Sequence, residues 1–268
     1  MGVKACLRRL LKKWPFLHRL VVRAYFALRP VRLRELVIGT RAREEEWARR
    51  HLRGGNDWGN TQRAGSKDEW VMSYWDSRDH AHRPFLLGRL SAFHPFSSVL
   101  EIGCNCGPNL YLVAKRFPEA QVWGVDINPA AVETGTRLLA SEGISNVKLS
   151  VGRADDLGQF EDNQVDVVFT DAVLIYVGPD KIEQVAREMV RVARRGIILL
   201  EQQCFGPNWR DAEGLGIHRG DVWVRDYSAL FQRLAIEAPV RITKLPEGAW
   251  PADGWREWGA VVEVRLSG

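Results

Sequence analysis

The sequence predicts an α/β domain built on a seven-stranded, mostly parallel sheet with helices on both faces, preceded by a basic helical extension. Three observations carry this. Short apolar runs at Val99–Ile102, Val122–Val125 and Ile197–Leu200 read as strands buried on both faces. Helical patterns separate them, as in βαβ units. A Gly-containing turn follows the first strand and an acid, Asp126, follows the second, at the sheet edge where open α/β folds bind ligands.

The first strand holds Val99, Leu100 and Ile102. Gly103 and Gly107 then bracket Cys-Asn-Cys, a turn that can lie against a small molecule because Gly tolerates positive φ. Pro108 sits where a helix begins and loses no hydrogen bond there, and Asn109 to Arg116 continues the helix. The second strand, Val122 to Val125, delivers Asp126, 19 residues after Gly107. That is close to the ~20-residue spacing at which an acid meets a ribose hydroxyl. The dinucleotide pattern Gly-x-Gly-x-x-Gly is absent, its places being held by Gly103, Asn105 and Pro108. No Lys-Ser/Thr pair follows, which argues against a P-loop. A nucleoside ligand without a pyrophosphate fits, and S-adenosylmethionine is the common one.

Glu101-Ile-Gly103-Cys-Asn-Cys-Gly107 resembles the Glu-x-Gly-x-x-x-Gly motif of class I S-adenosylmethionine-dependent methyltransferases, small-molecule type. Val125-Asp126-Ile127-Asn128-Pro129 resembles their second motif. The resemblance covers Tyr74 to Leu200, and the C-terminal part by pattern alone. It departs at Asn105, where the family usually has Gly, and Asn visits the left-handed region more readily than other non-Gly residues. The resemblance implies a Rossmann-like sheet and S-adenosylmethionine as cofactor. It implies that Asp126 holds the ribose, with Ile127 beside it. The turn Gly103, Asn105 and Gly107 lies along the methionyl part, and Glu101 supports the turn or the amino group. Thr170 lies at the cofactor edge.

The chain has 268 residues, enough for one large α/β domain plus an extension, with globular values of 46% hydrophobic and 26% charged residues. No apolar run reaches the ~18 residues that span a membrane. Four cysteines (Cys6, Cys104, Cys106, Cys204) form no CxxC pair or zinc spacing and read as reduced thiols of a cytosolic protein. Residues 1–43 hold 12 Lys and Arg against one acid, Glu35, while the remainder holds 26 against 32. A mildly acidic body disfavours a nucleic-acid groove across the domain.

Residues 3–28 read as an amphipathic helix in two pieces broken at Pro15, with Leu7, Leu10, Leu11 and Trp14 recurring at helical spacing. Three readings fit the arm. It packs on the domain or a partner subunit, it lies on the inner face of an anionic membrane, or it is an organelle transit peptide. Residues 40–67 turn polar and Gly-rich, so the extension and linker are placed at 1–66 and the catalytic domain at 67–268. Glu69 to Leu90 reads as one helix. By the resemblance Tyr74, Trp75 and Arg83 are candidates for a lid, with core packing an equal reading for Trp75. His80-Ala-His82 lacks a nearby ligand partner, and no metal is assigned.

The third strand is Val147 to Val151. After it the resemblance places an adenine contact. Ala154 is the candidate backbone donor and Asp155 the candidate amine acceptor, although the family's acid more often occupies the place of Arg153. An N-terminal helix cap is the alternative for Asp155 and Asp156. The fourth strand, Asp166 to Thr170, leads into Asp171 and Tyr176 at the switch point. Asp171 reaches the donor's amino group or the acceptor. Tyr176 matches a position often held by a catalytic His, and a phenol of pKa ~10 orients an acceptor better than it deprotonates one. Pro179 to Val192 reads as a helix and Ile197 to Leu200 as the fifth strand, with Glu201 to Cys204 at the active edge. Phe205 to Asp221 reads as a long loop offering His218 and Arg219 to the substrate. Trp223 to Leu234 reads as a helix, Val240 to Ile242 as a strand, and the alternating Ala260 to Leu266 as an antiparallel edge strand.

The expected function is methyl transfer to an O or N nucleophile of a small-molecule acceptor, with Tyr176, Asp171 and His218 as candidate catalytic residues. The chain lacks the Asn/Asp-Pro-Pro-Tyr/Phe signature of amino-directed nucleic-acid or protein enzymes, since Thr-Asp-Ala-Val stands there. The basic arm admits an acceptor at a membrane. The alternative is a methyltransferase-like scaffold that binds the nucleoside and a partner protein without catalysis. Oligomeric state is not written in the sequence.

Overall fold

A computed structural model describes residues 67–205, 211, 213–219 and 222–266. The basic arm and its linker therefore lie outside the described residues. Among the described residues no helix is long and apolar enough to cross a membrane.

The elements run α1 (Lys67–Asp76), α2 (His82–Ser91), β1 (Ser98–Ile102), α3 (Pro108–Arg116), β2 (Gln121–Asp126), α4 (Pro129–Ser141), β3 (Val147–Val151) and β4 (Val165–Asp171). They continue with α5 (Ile182–Val192), β5 (Ala193–Gln202), β6 (Ile217–Arg219), β7 (Val222–Val224), α6 (Tyr227–Arg233), β8 (Val240–Lys244), α7 (Asp253–Trp258) and β9 (Gly259–Arg265). Seven strands form one sheet in the order β3-β2-β1-β4-β5-β9-β8, with β6 and β7 as a separate hairpin. The five strands from β3 to β5 are parallel, and β9 is antiparallel to both neighbours. This is the mostly parallel sheet that the apolar runs predict, in the Rossmann-like form that the resemblance implies.

Alternation along the central strands feeds two cores. Leu100, Ile102, Val168, Ile197 and Leu199 pack with α5 and α6 on one face. Val99, Val167, Phe169, Ile198 and Leu200 pack with Leu86, Leu90 and Leu110 on the other. The strand order reverses between β1 and β4, where Ile102 lies beside Thr170. Their carboxyl ends, with that of β2, open the crevice that positions the site.

Several boundaries differ from the sequence reading. The expected helix from Glu69 to Leu90 is two helices separated by a 3-10 turn at Ser77–Asp79. Pro84 accounts for the restart, because in a continuous helix its ring would meet the carbonyl of His80. The expected loop from Phe205 to Asp221 contains β6, and Val222–Val224 pairs with it rather than opening a helix. Helix α6 starts only at Tyr227, where the Asp226 side chain accepts from the N–H groups of Ser228 and Ala229. The fifth strand is longer than expected, beginning at Ala193. The last strand is interior: β9 lies between β5 and β8, and β8 is the edge. Its alternation misleads because Glu263, though charged, is 4% exposed and reached by Arg89 at 3.5 Å. No helix follows Asp155 and Asp156, so neither caps one.

Candidate functional site

The turn after β1 is built by three left-handed residues, Gly103 (φ 74°), Asn105 (φ 51°) and Gly107 (φ 84°). Asn105 thus adopts the conformation for which its residue type is suited. Its N–H donates to Asp126 Oδ2 at 2.7 Å, and its own side-chain oxygen accepts from the Cys106 N–H at 2.7 Å. The other oxygen of Asp126 accepts from the Asn128 N–H at 2.8 Å. One carboxylate therefore ties the β1 turn to the loop after β2. Burial pushes the Asp126 carboxyl up, opposed by these two amides. A Cβ on Gly103 would stand 2.3 Å from the Val173 side chain, so the backbone runs hard against the wall formed after β4.

A cleft with about 970 Å³ of empty space, its open mouth included, lies over this edge. Gly103, Asn105, Asp126, Ile127, Ala154, Asp155, Asp171 and Tyr176 line it. So do Tyr74, Ala172, Val173 and Val177, which enclose the end toward β4. Four sequence-predicted residues stand elsewhere. Glu101 and Thr170 are buried and are not among the lining residues, and Gly107 caps α3. His218 lies on β6 with its ring against Trp223, centroids 4.9 Å apart, and is not among the lining residues. A long loop was expected to carry it to the cleft, and the hairpin holds it to β7 instead.

Asp155 is already engaged. It accepts from Arg153 Nε at 3.0 Å and pairs with Lys181 at 3.1 Å. Burial pushes its carboxyl up, but these two cations outweigh that and hold it below the ordinary range. Trp75 is buried in a cluster with Val71 and Cys106. Cys104 and Cys106 are free and buried, and burial pushes both thiols up, which keeps them unreactive.

Beneath the turn lies a buried polar network whose connections the sequence does not display. Asn109 Nδ2 donates to Glu101 at 2.7 Å and to Asp171 at 2.9 Å. Its oxygen accepts from Arg83 Nη1 at 2.7 Å. Arg83 also donates to the backbone and hydroxyl oxygens of Ser77. His82 Nε2 lies 2.9 Å from Asp171 Oδ2, and its ring stacks on Trp250 at 4.2 Å. Burial pushes Asp171 up, but His82 and Arg83 outweigh it and hold the carboxyl at about 2. At Glu101 burial prevails over the Asn109 bond and the weaker pull of Arg83 and drives the carboxyl up to about 8. Two buried oxygens, Glu101 Oε2 and Asp171 Oδ1, have no hydrogen-bond donor among the described residues. Only the two-residue offset of Asn109 from Gly107 could have drawn attention to it in the sequence.

Residues 99–196 match the methyltransferase domain family. Over 130 residues the chain is 28% identical to the trans-aconitate 2-methyltransferase of Methylobacterium radiotolerans, covering 48% of this chain and 46% of that protein. Over 99 residues it is 34% identical to a sterol 24-C-methyltransferase of Aspergillus fumigatus, covering 37% of this chain and 25% of that one. The chain spans less than half the length of the curated relatives it matches. Among solved structures, geranyl diphosphate C-methyltransferase from Streptomyces coelicolor A3(2) shares the fold with a TM-score of 0.55. It is 13% identical, over 81% of this chain and 88% of that one.

Proposed function

We propose, from the methyltransferase domain at residues 99–196 as premise, that the chain transfers a methyl group from S-adenosylmethionine to an O or N nucleophile of a small molecule. The observation that carries the reading is the pair of buried carboxyl oxygens without donors among the described residues, Glu101 Oε2 and Asp171 Oδ1, beside a Gly turn pressed against the cleft wall. They suit the ammonium of an amino-acid moiety. Asp126 suits vicinal hydroxyls, since each of its oxygens keeps a lone pair after accepting one amide. The chain's residues thus fit the cofactor.

When bound, S-adenosylmethionine supplies a methyl group already activated by its sulfonium. The protein's work is alignment. Asp126 and the turn from Gly103 to Asn105 fix one end, and Asp171 fixes the charge at the other. An Asp171 carboxyl at about 2 is a weak base, so its role is to hold positive charge. Tyr176, on the wall beyond β4, orients the acceptor. The trans-aconitate and sterol methyltransferases among the sequence relatives support a small-molecule acceptor.

Calorimetric titration of S-adenosylmethionine and of its demethylated product tests the reading. Binding an ammonium beside Glu101 releases the proton held by a carboxyl at about 8. Titrations near pH 7 in buffers of different ionisation enthalpy should therefore show release of about half to one proton, absent in Glu101→Gln. A folded wild type that binds neither compound overturns the proposal.

The finer reading, an acceptor at an anionic membrane, rests on the charge of residues 1–43. Full-length protein should co-sediment with anionic vesicles several-fold more than a chain starting at Arg41. Equal sedimentation removes the arm's role.

A further inference from the structure

The turn after β4 is held at its two ends by opposite charges. At its start the Glu201 carboxylate accepts from the backbone N–H groups of Val173 (3.0 Å), Leu174 (3.0 Å) and Ile175 (3.2 Å). It also accepts from the Thr170 hydroxyl at 2.7 Å. At its end the Arg225 guanidinium donates to the carbonyls of Leu174 (3.0 Å) and Val177 (2.6 Å). Both side chains have no exposure to solvent. The match is electrostatic: N–H groups at the start of a helical turn carry partial positive charge, and carbonyls at its end carry partial negative charge.

The held segment is the β4-side wall of the cleft. Ala172, Val173, Tyr176 and Val177 all line it. Ala172 enters the turn at φ 58°, a left-handed conformation that is strained for a non-Gly residue and persists only when its surroundings enforce it. Arg225 extends the hold to the hairpin. Its guanidinium donates to the Leu215 carbonyl at 3.3 Å and packs so closely on Gly216 that a Cβ there would stand 3.0 Å from Nη2. Its backbone pairs with Gln202 and Cys204 at the end of β5.

We propose that Glu201 and Arg225 are positioning residues, a buried clamp that sets the 172–177 wall and with it Tyr176, and that the ionisation state of Glu201 sets the clamp's hold. Neither residue lines the cleft. The clamp bears on methyl transfer only through the function proposed above, and it is testable without any ligand. Ionised, Glu201 presents acceptors to all four donors. Protonated, one of its oxygens becomes a donor and meets N–H groups, so the hold weakens. The groups facing it are Thr170 and Asp171 from β4 and Tyr227 from the start of α6. Burial pushes Glu201 up to about 7, which places the change in the neutral range.

The sign separates this role from a merely structural one. A carboxyl whose folded pKa is raised contributes stability that is present at low pH and lost as pH rises through about 7. The clamp's hold runs the other way, because Glu201 stays buried when the turn lifts off it: the burial cost is common to both states, and the four hydrogen bonds favour the ionised form. Hydrogen–deuterium exchange of the full chain, corrected for intrinsic rates, is measured without ligand near pH 6 and near pH 8.5, beside thermal melts. Protection of amides 173–175 should rise about tenfold while the melting temperature falls. Glu201→Gln should show low protection at both pH values. Arg225→Lys, which has no planar fork to span two carbonyls, should expose 174–178 at both. Protection of 173–175 that falls with the melting temperature overturns the proposal, as does a Glu201→Gln chain protected like wild type. If a variant does not fold, the two wild-type measurements decide. Intact pH-dependent protection in a chain that binds no S-adenosylhomocysteine sinks the methyl-transfer reading and leaves the clamp standing.

Discussion

Replacing Asp126 by Ala should reduce affinity for S-adenosylhomocysteine about 100- to 1,000-fold while leaving the sheet folded. The carboxylate makes two charge-assisted bonds, to the N–H groups of Asn105 at 2.7 Å and Asn128 at 2.8 Å. Bonds to a charged group contribute about 1.5–3 kcal/mol each, and on the proposed reading the ribose adds to them. The loss falls on the site rather than the fold, because both amides belong to loops at the sheet edge. They can turn to water once the carboxylate is gone. Asp126→Asn is the sharper companion. It keeps the volume, but its amide nitrogen would face one of the two donors, so affinity should fall to an intermediate value. Circular dichroism and melting show whether the fold survives. An Asp126→Ala chain that binds within threefold of wild type removes Asp126 from the cofactor site.

The ligand-free protein should lose stability as pH rises from about 6 to about 8.5, by on the order of 3 kcal/mol or about 5–10 °C in melting temperature. Two buried carboxyls drive this. Burial raises Glu101 to about 8 and Glu201 to about 7 from an ordinary 4.5. Between the unfolded and folded values the unfolded chain has released a proton that the folded chain retains. Their contribution is therefore complete below about 4.5 and lost as pH climbs through about 7 and about 8. Asp171 has the opposite sign. Burial raises it, but His82 and Arg83 prevail and hold it at about 2, so it loses its contribution only in acid. His80, pushed down by burial and by its neighbour His82, also acts only on the acidic side. Glu101→Gln should flatten much of the slope and melt above wild type near pH 8.5. A wild-type melting temperature that is level or rising across this range would show that these carboxyls ionise freely.

The cofactor edge was legible in the sequence because its parts are local. Glycines at 103 and 107, Asn at 105 and an acid 19 residues past Gly107 are joined by short segments whose φ/ψ preferences act residue by residue. In the tertiary structure the turn is left-handed at these three positions, and Asp126 accepts from the N–H groups of Asn105 and Asn128. The apolar runs likewise fixed a central parallel sheet, since a strand covered on both faces has no polar face to show.

What remained hidden joins distant residues. Asp171 meets His82 across 89 positions, Asn109 meets Asp171 across 62, and Arg225 reaches Leu174 across 51. A buried polar group must find a partner, but no local pattern says which one, because the partner is set by how strands and helices stack. For that reason Glu201 could be placed at the active edge but not beneath three amides, and His218 could be offered to the substrate when the hairpin turns it toward Trp223. The chain's own order determined the fold class and the turn that lines the cleft. Only packing decided which charges stand together below it and how each is held.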